Sequence, residues 1–201
     1  MDLADFWDLI ERSGQKEPDP DERAEWLVDR LIKLSPDEII DFRKHLDGLH
    51  ERADTWHMWG AATLICGGAS DDNFWFFQSW LVGLGRETFE RAVANPDTLA
   101  DVPLVVELAD AEEWDDEDWP DWEQLEYVAD DAYEEKTDDD LDEVLDGIGH
   151  QYRLSPDPAD PEFDLDDRAE QEKRYPRLSE LFAEEEEEEE EDEDEDEDED
   201  E

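Results

Sequence analysis

The sequence predicts an all-α protein: a single compact helical domain with a buried helical hairpin at its centre, an irregular acidic arm and a disordered acidic tail. Three observations support this fold class. Apolar residues recur at helical spacing, helix-capping residues precede several of these stretches, and residues 55–82 are almost uncharged in a chain rich in Asp and Glu. The predicted boundaries are 1–148 for the helical domain, 149–183 for the arm and 184–201 for the tail.

The first three helices follow from apolar periodicity and capping residues. Asp2 to Ser13 carries an apolar stripe, and we expect Gly14 to end that helix. A second stripe runs from Asp21 to Leu34. Ser35-Pro-Asp-Glu38 predicts a helix start, because Ser caps, Pro suits the first turn and Glu can accept from the Ser backbone N–H. We expect this third helix to reach about Ala53.

Residues 56–84 form the predicted central hairpin. From Trp56 to Cys66, apolar residues cover every direction around a helix, which is typical of a buried helix. Gly67-Gly68 ends it, because glycine tolerates the left-handed backbone of a helix C-cap, and we expect positive φ at one of the two. Ser70 then caps a largely apolar helix from Asp71 to Leu84, which we take as the centre of the fold.

The second half of the chain is more acidic and less regular. Its arm contains four prolines between residues 149 and 176, and its last 18 residues are all acidic, so they cannot bury apolar surface. The predicted elements are a helix over 86–95, a strand or helix over 97–108, an irregular stretch over 112–121, helices over 121–136 and 138–148, an extended arm over 149–176 and a short terminal helix over 175–182.

Charge and hydropathy exclude several classes of partner. The chain has 70 Asp and Glu against 16 Lys and Arg, a formal net charge of -54, and it still carries -36 without the tail. Because proteins bind duplex nucleic acid through Lys and Arg, we expect no nucleic-acid binding. The apolar runs are shorter than the ~20 residues of a spanning helix, and the N-terminus lacks the basic start of a signal peptide. We therefore expect no membrane association and a cytoplasmic location.

Several motifs, taken in order and spacing, resemble one protein family. They are Phe6-Trp7-Asp-Leu-Ile-Glu11, Leu34-Ser-Pro-Asp-Glu-Ile39, Trp56-x-x-Trp59-Gly-Ala-Ala, Gly67-Gly68-x-Ser70-Asp71-Asp72-x-Phe74, Gly85-Arg-Glu-x-Phe-Glu90, Asn95-Pro-Asp-x-Leu99, Glu126-Tyr-Val-Ala and Ala132-Tyr133-Glu-Glu. This pattern resembles the bacterial, largely actinobacterial, domain of unknown function 4240 family over residues 3–136. The resemblance implies an all-helical intracellular domain, and it brings no agreed activity.

One polar group has the spacing of a metal site. His50, Asp54 and His57 would share a face of a continuous helix, which suits a divalent cation. The predicted helix boundary between Ala53 and Trp56 breaks that face. We therefore interpret the three as solvent-side polar residues and assign no metal ligand.

The candidate functional surface consists of Trp56, Trp59, Ser70, Asp71 and Asp72. The two Asp residues at the start of a helix would repel an anion, which disfavours a phosphate site. A cation site is conceivable, and the simpler interpretation is a helix cap with acidic residues at the positive end of the helix dipole. We assign no catalytic or cofactor-binding residue and expect no cofactor.

The favoured function is a non-enzymatic acidic protein-interaction module that binds basic protein partners, recruited through long-range attraction. Two alternatives stay open. One is an enzyme or metal-binding protein with its site near residues 56–72, which an open pocket with strongly perturbed carboxylate pKa values would favour. The other is a nucleic-acid mimic or immunity-type inhibitor of a basic protein. The sequence leaves the oligomeric state open.

Overall fold

Helices account for all the regular secondary structure in the residues that the computed structural model describes, which are 1–111, 119–151, 156–158 and 160–183. No β-strand occurs within these ranges, so the predicted all-α class is confirmed. The predictions for residues 112–118 and for the acidic tail from Glu184 lie outside the described residues.

Within residues 1–111 the helices follow one another with short connections. In the described residues, two 3-10 helices, Pro96–Asp101 and Glu123–Glu126, interrupt the α-helical series. The α-helices are α1 (Leu3–Lys16), α2 (Pro20–Leu31), α3 (Pro36–Ala53), α4 (Trp56–Cys66), α5 (Asp71–Gly83), α6 (Arg86–Ala94), α7 (Pro103–Asp110), α8 (Val128–Thr137), α9 (Leu141–Gly147), α10 (Arg168–Arg174) and α11 (Pro176–Leu181).

The predicted caps are confirmed. At the start of α3 the Ser35 N–H donates to Glu38 Oε2 at 2.9 Å, and the Glu38 N–H donates to Ser35 Oγ at 3.4 Å, which makes a capping box. Gly67 has φ 66° and Gly68 has φ 138°, and Gly67 adopts the left-handed conformation that ends α4. Ser70 Oγ accepts from the backbone N–H of Asn73 and caps α5.

The helix α5 lies at the centre of the packed core, as predicted. It contacts α1, α3, α4 and α6 and the second 3-10 helix. Its fully buried apolar side chains include Phe74, Phe77, Leu81 and Val82. Trp59 of α4 stacks on Phe74 with ring centroids 4.6 Å apart, so the hairpin is held by aromatic contact.

The boundary predicted at Gly14 was wrong. The helix α1 continues through Gly14 to Lys16. At Gly14 an added Cβ would lie 3.3 Å from the guanidinium carbon of Arg23, whose Nε donates to Ser13 Oγ at 3.2 Å. This glycine therefore permits the close approach of an arginine side chain and does not break the helix.

Other boundaries differ from the sequence predictions. The second helix ends at Leu31, and residues 97–108 are helical, divided between the first 3-10 helix and α7. The single helix predicted for residues 121–136 is a 3-10 helix followed by α8, because the chain turns near Tyr127 before α8 starts. Boundaries of this kind depend on packing more than on intrinsic propensity.

Part of the predicted extended arm is helical, and its terminal helix packs on the hairpin. Residues 168–174 form α10, and α11 occupies the predicted terminal position. Tyr175 is fully buried, its hydroxyl donates to the carbonyl of His57 at 2.7 Å, and its ring lies over Gly60. A side chain at Gly60 would overlap Tyr175 and Phe163, so the glycine allows the arm to approach the α4 backbone.

Candidate functional site

An open groove with a volume of about 650 Å³ lies beside α5, α8 and the start of α9. Three aromatic side chains, Trp75, Phe76 and Tyr127, contribute to its walls, and Arg43 is the single basic residue among the described residues that line it. Nine acidic residues line the groove: Asp71, Asp72, Glu126, Asp130, Glu134, Asp138, Asp139, Asp140 and Asp142.

Helical spacing explains how these residues come to face one space. Asp71 and Asp72 are exposed in the first turn of α5, and Trp75 follows one turn later on the same side. Tyr127, the N-cap of α8, and Asp130 and Glu134 within α8 are three and four residues apart and therefore share a face. The groove thus combines two helix faces.

The connection between α8 and α9 adds further carboxylates to the groove. Asp138 has φ 60° and ends α8 in the left-handed conformation, which Asp tolerates better than most residues. Asp140 Oδ1 accepts from the Glu143 backbone N–H at 2.9 Å and so caps α9. Several acidic side chains in this turn therefore also shape the backbone around the groove.

A buried guanidinium forms the floor of the groove. Arg43 is 7% exposed. Its Nε donates to Asp47 Oδ1 at 2.9 Å, and its Nη1 donates to Asp130 Oδ2 at 2.8 Å and to the backbone carbonyl of Glu126 at 3.4 Å. Burial disfavours the charged guanidinium, but Asp47 and Asp130 outweigh burial and raise the pKa of Arg43.

Asp130 has the most strongly perturbed carboxyl of the groove. Burial raises its pKa, Arg43 lowers it, and Asp142, Asp47 and Asp131 raise it again, so the pKa of Asp130 rises to about 6. Among the described residues its one paired cation, Arg43, is shared with Asp47, and the carboxylates around Asp130 repel its charge. Asp130 can therefore gain or lose a proton close to neutral pH.

A second polar cluster lies behind the groove and links three elements. His50 Nε2 of α3 is 3.0 Å from Ser79 Oγ of α5 and 3.3 Å from Glu126 Oε1, and the Ser79 hydroxyl donates to Glu126 Oε1. In a catalytic triad the acid would face His Nδ1, whereas here both partners meet Nε2. Ser79 is fully buried, so this cluster cannot present a nucleophile to a substrate.

The five residues of the candidate functional surface do not form one site. Trp56 and Trp59 stack with ring centroids 5.2 Å apart, and Trp59 is buried. Ser70 serves as the cap of α5. Only Asp71 and Asp72 line the acidic groove. Trp56 lines a separate shallow hollow beside the arm.

The predicted break between α3 and α4 is present, but the interpretation of His50 and Asp54 as solvent-side residues was wrong. They are 2% and 3% exposed. Asp54 Oδ2 accepts from the Asp157 backbone N–H at 2.8 Å, so this carboxylate holds the arm. His57 is half-buried on α4, and burial lowers its pKa. In the described part of the chain, no group of three or more His, Cys, Asp or Glu is arranged to hold a metal ion.

The chain has one cysteine, Cys66, at the end of α4. Burial raises the pKa of the Cys66 thiol to about 12, so the reactive thiolate is scarcely populated at neutral pH.

Sequence reasoning missed Trp75, Tyr127, Asp130 and Arg43 as groove residues. Helical spacing gave one signal, since Trp75 falls one turn after Asp71 on the predicted helix. The contact between Arg43 and Asp130 gave none, because it joins residues 87 positions apart in the sequence.

The fold and the groove define a class: acidic, all-helical proteins built around an aromatic hairpin. Residues 1–135 match the family described as protein of unknown function (DUF4240), and the chain belongs to this family, which confirms the resemblance seen in the motifs. No curated protein and no solved structure matches the chain. Within the described ranges, no helix has both the length and the apolar character needed to cross a membrane.

Proposed function

We propose that the protein is a non-enzymatic interaction module that binds basic segments of partner proteins in the acidic groove. The observation that carries this proposal is the composition of the groove: nine acidic residues, one shared guanidinium and three aromatic side chains. Carboxylates attract Lys and Arg, and aromatic faces favour the same cations through cation–π contact. A basic segment is therefore the partner chemistry that the groove fits best.

The acidic tail would assist the same function. Residues 184–201 carry 18 acidic side chains in sequence. Concentrated charge raises the rate of encounter with a basic partner, although physiological salt limits the reach of each charge to ~8 Å. We expect the tail to speed association and the groove to set the lifetime of the complex.

The perturbed pKa of Asp130 meets one condition of the enzymatic alternative. Burial and the crowding of carboxylates raise this pKa, and the ion pair with Arg43 opposes them, so the shift has a structural cause without any catalytic role. The Ser79 hydroxyl, which is paired with His50, is fully buried and cannot serve as a nucleophile toward a substrate. We therefore prefer binding over catalysis for this groove.

The proposal is tested by indole N–H NMR of the full chain during titration with a pentapeptide of alternating lysine and arginine. Trp75 lines the groove, and Trp75→Phe assigns its signal among the nine tryptophans. We expect the Trp75 signal to shift and saturate, while a pentapeptide of glutamine leaves it unchanged. Without the tail, association should slow while the Trp75 shift at saturation stays the same.

Matched charge variants locate the binding. Asp71→Asn with Asp72→Asn should weaken binding by about two- to thirtyfold, since each of the two exposed charges contributes about 0.2–1 kcal/mol. Asp29→Asn removes one charge from an exposed position that does not line the groove and should have little effect. Shifts that avoid Trp75, or equal losses in Asp29→Asn and the double variant, would contradict the proposal.

A further inference from the structure

A single buried guanidinium is shared by the carboxylates at the floor of the groove. Arg43 donates to Asp47 and to Asp130 at 2.9 and 2.8 Å, and its side chain is 9% exposed. The side chain of Asp130 is 31% exposed, so it lies between this buried cation and the open groove. Asp130 is thus the point where the buried ion network meets the space in which a partner would bind.

The groups around Asp130 are mostly acidic. Two histidines contact acidic residues next to Asp130. His150 Nε2 lies 2.7 Å from Asp47 Oδ2, and His50 Nε2 lies 3.3 Å from Glu126 Oε1. The charged and titratable groups that face Asp130 or share its groove are Arg43 and Asp47 from α3, Asp71 and Asp72 from α5, Glu126 and Tyr127 before α8, Asp131 and Glu134 from α8 itself, Asp138, Asp139 and Asp140 from the following turn, and Asp142 from α9.

We infer that protonation of Asp130 controls binding in the groove. The groove binds the lysine or arginine of a partner when this carboxyl is ionised and releases it when the carboxyl is protonated. This inference rests on the proposed function and adds its regulation. The reason is geometric: among the described residues, Arg43 is the one cation that pairs with Asp130, and Asp47 shares it, so an incoming cation adds a second positive charge beside the crowded carboxylates.

The direction and size of the effect follow from linkage. The pKa of Asp130 lies near 6, so the carboxyl is ionised at about pH 7.5 and mostly protonated at about pH 5. A cation that binds only the ionised form would bind about tenfold more weakly at the lower pH. By the same linkage, a bound cation must lower the pKa of Asp130.

The experiment uses the full chain and the lysine–arginine pentapeptide, with Kd measured from the Trp75 indole signal at both pH values. We expect a rise in Kd of about tenfold on acidification of the native protein. Asp130→Asn should bind equally at both values, and no more tightly than the native chain does at about pH 5. Asp29→Asn and His150→Gln should keep the native dependence.

Carboxyl carbon NMR of Asp130 gives a second measurement that needs no comparison of affinities. We expect its titration midpoint to fall when the pentapeptide is present. The inference is overturned if the native Kd is the same at both pH values, if Asp130→Asn keeps the dependence, if His150→Gln removes it, or if the midpoint does not move. If the pentapeptide binds at about pH 7.5 and any of these results is obtained, the inference fails and the proposed function still holds. If the pentapeptide does not bind, the proposed function and the inference are both overturned.

Discussion

Replacement of Arg43 by glutamine should destabilise the fold strongly. Arg43 is buried and bonds to Asp47, to Asp130 and to the Glu126 carbonyl. Without the guanidinium, Asp47, whose side chain is only 10% exposed, loses its arginine partner and retains the contact with His150. Removing one partner of a buried ion pair costs about 3–5 kcal/mol.

The cost of this substitution should depend on pH. The pKa of Asp130 is about 6 in the folded state and near 3.8 in the unfolded state. The stability that the bound proton contributes is therefore fully present below about pH 3.8 and is lost as the pH rises through about 6. In Arg43→Gln the ionised carboxylate has lost its cation, and protonation relieves the repulsion. The loss measured at about pH 5 should therefore be smaller than the loss at about pH 7.5.

Urea unfolding followed by circular dichroism at both pH values measures these differences. Arg12→Gln is the matched control, because Arg12 pairs with Asp8 on the surface, where the two side chains are 50% and 62% exposed. We expect that control to lose no more than about 0.5 kcal/mol. A loss under about 1 kcal/mol for Arg43→Gln at about pH 7.5, or a loss that grows on acidification, would refute the reasoning.

Two further substitutions test the hairpin and the arm. Gly60→Ala should cost about 1–3 kcal/mol and increase hydrogen exchange in residues 160–182, because the new Cβ would overlap Tyr175 and lie 2.8 Å from Phe163 Cζ. The control is Gly48→Ala in α3, which has open space around the position and should be neutral or stabilising. Equal hydrogen exchange in the two variants would argue against the contact between the arm and Gly60. Phe77→Ala on α5 should cost about 3–5 kcal/mol in urea unfolding, since this side chain is 1% exposed, and a loss under about 1 kcal/mol would mean that α5 is not central.

The sequence determined the features that depend on neighbouring residues. The capping box at Ser35 and the central hairpin with its turn at Gly67-Gly68 follow from local chemistry, since capping and helical spacing act over three or four residues. The motifs that identify the family belong to the same local level.

Only the tertiary structure decided which polar residues are buried. Arg43 and His50 follow Ile39 and Leu46 at four-residue spacing, so they lie along the buried stripe of α3, yet their burial depends on distant partners. Arg43 meets Asp130 across 87 positions, and His50 meets Ser79 across 29. Most buried polar groups are satisfied by such partners, and helical periodicity carries no information about which helices will supply them. The acidic groove, and the arginine at its floor, therefore emerge only when α3, α5 and α8 are packed together.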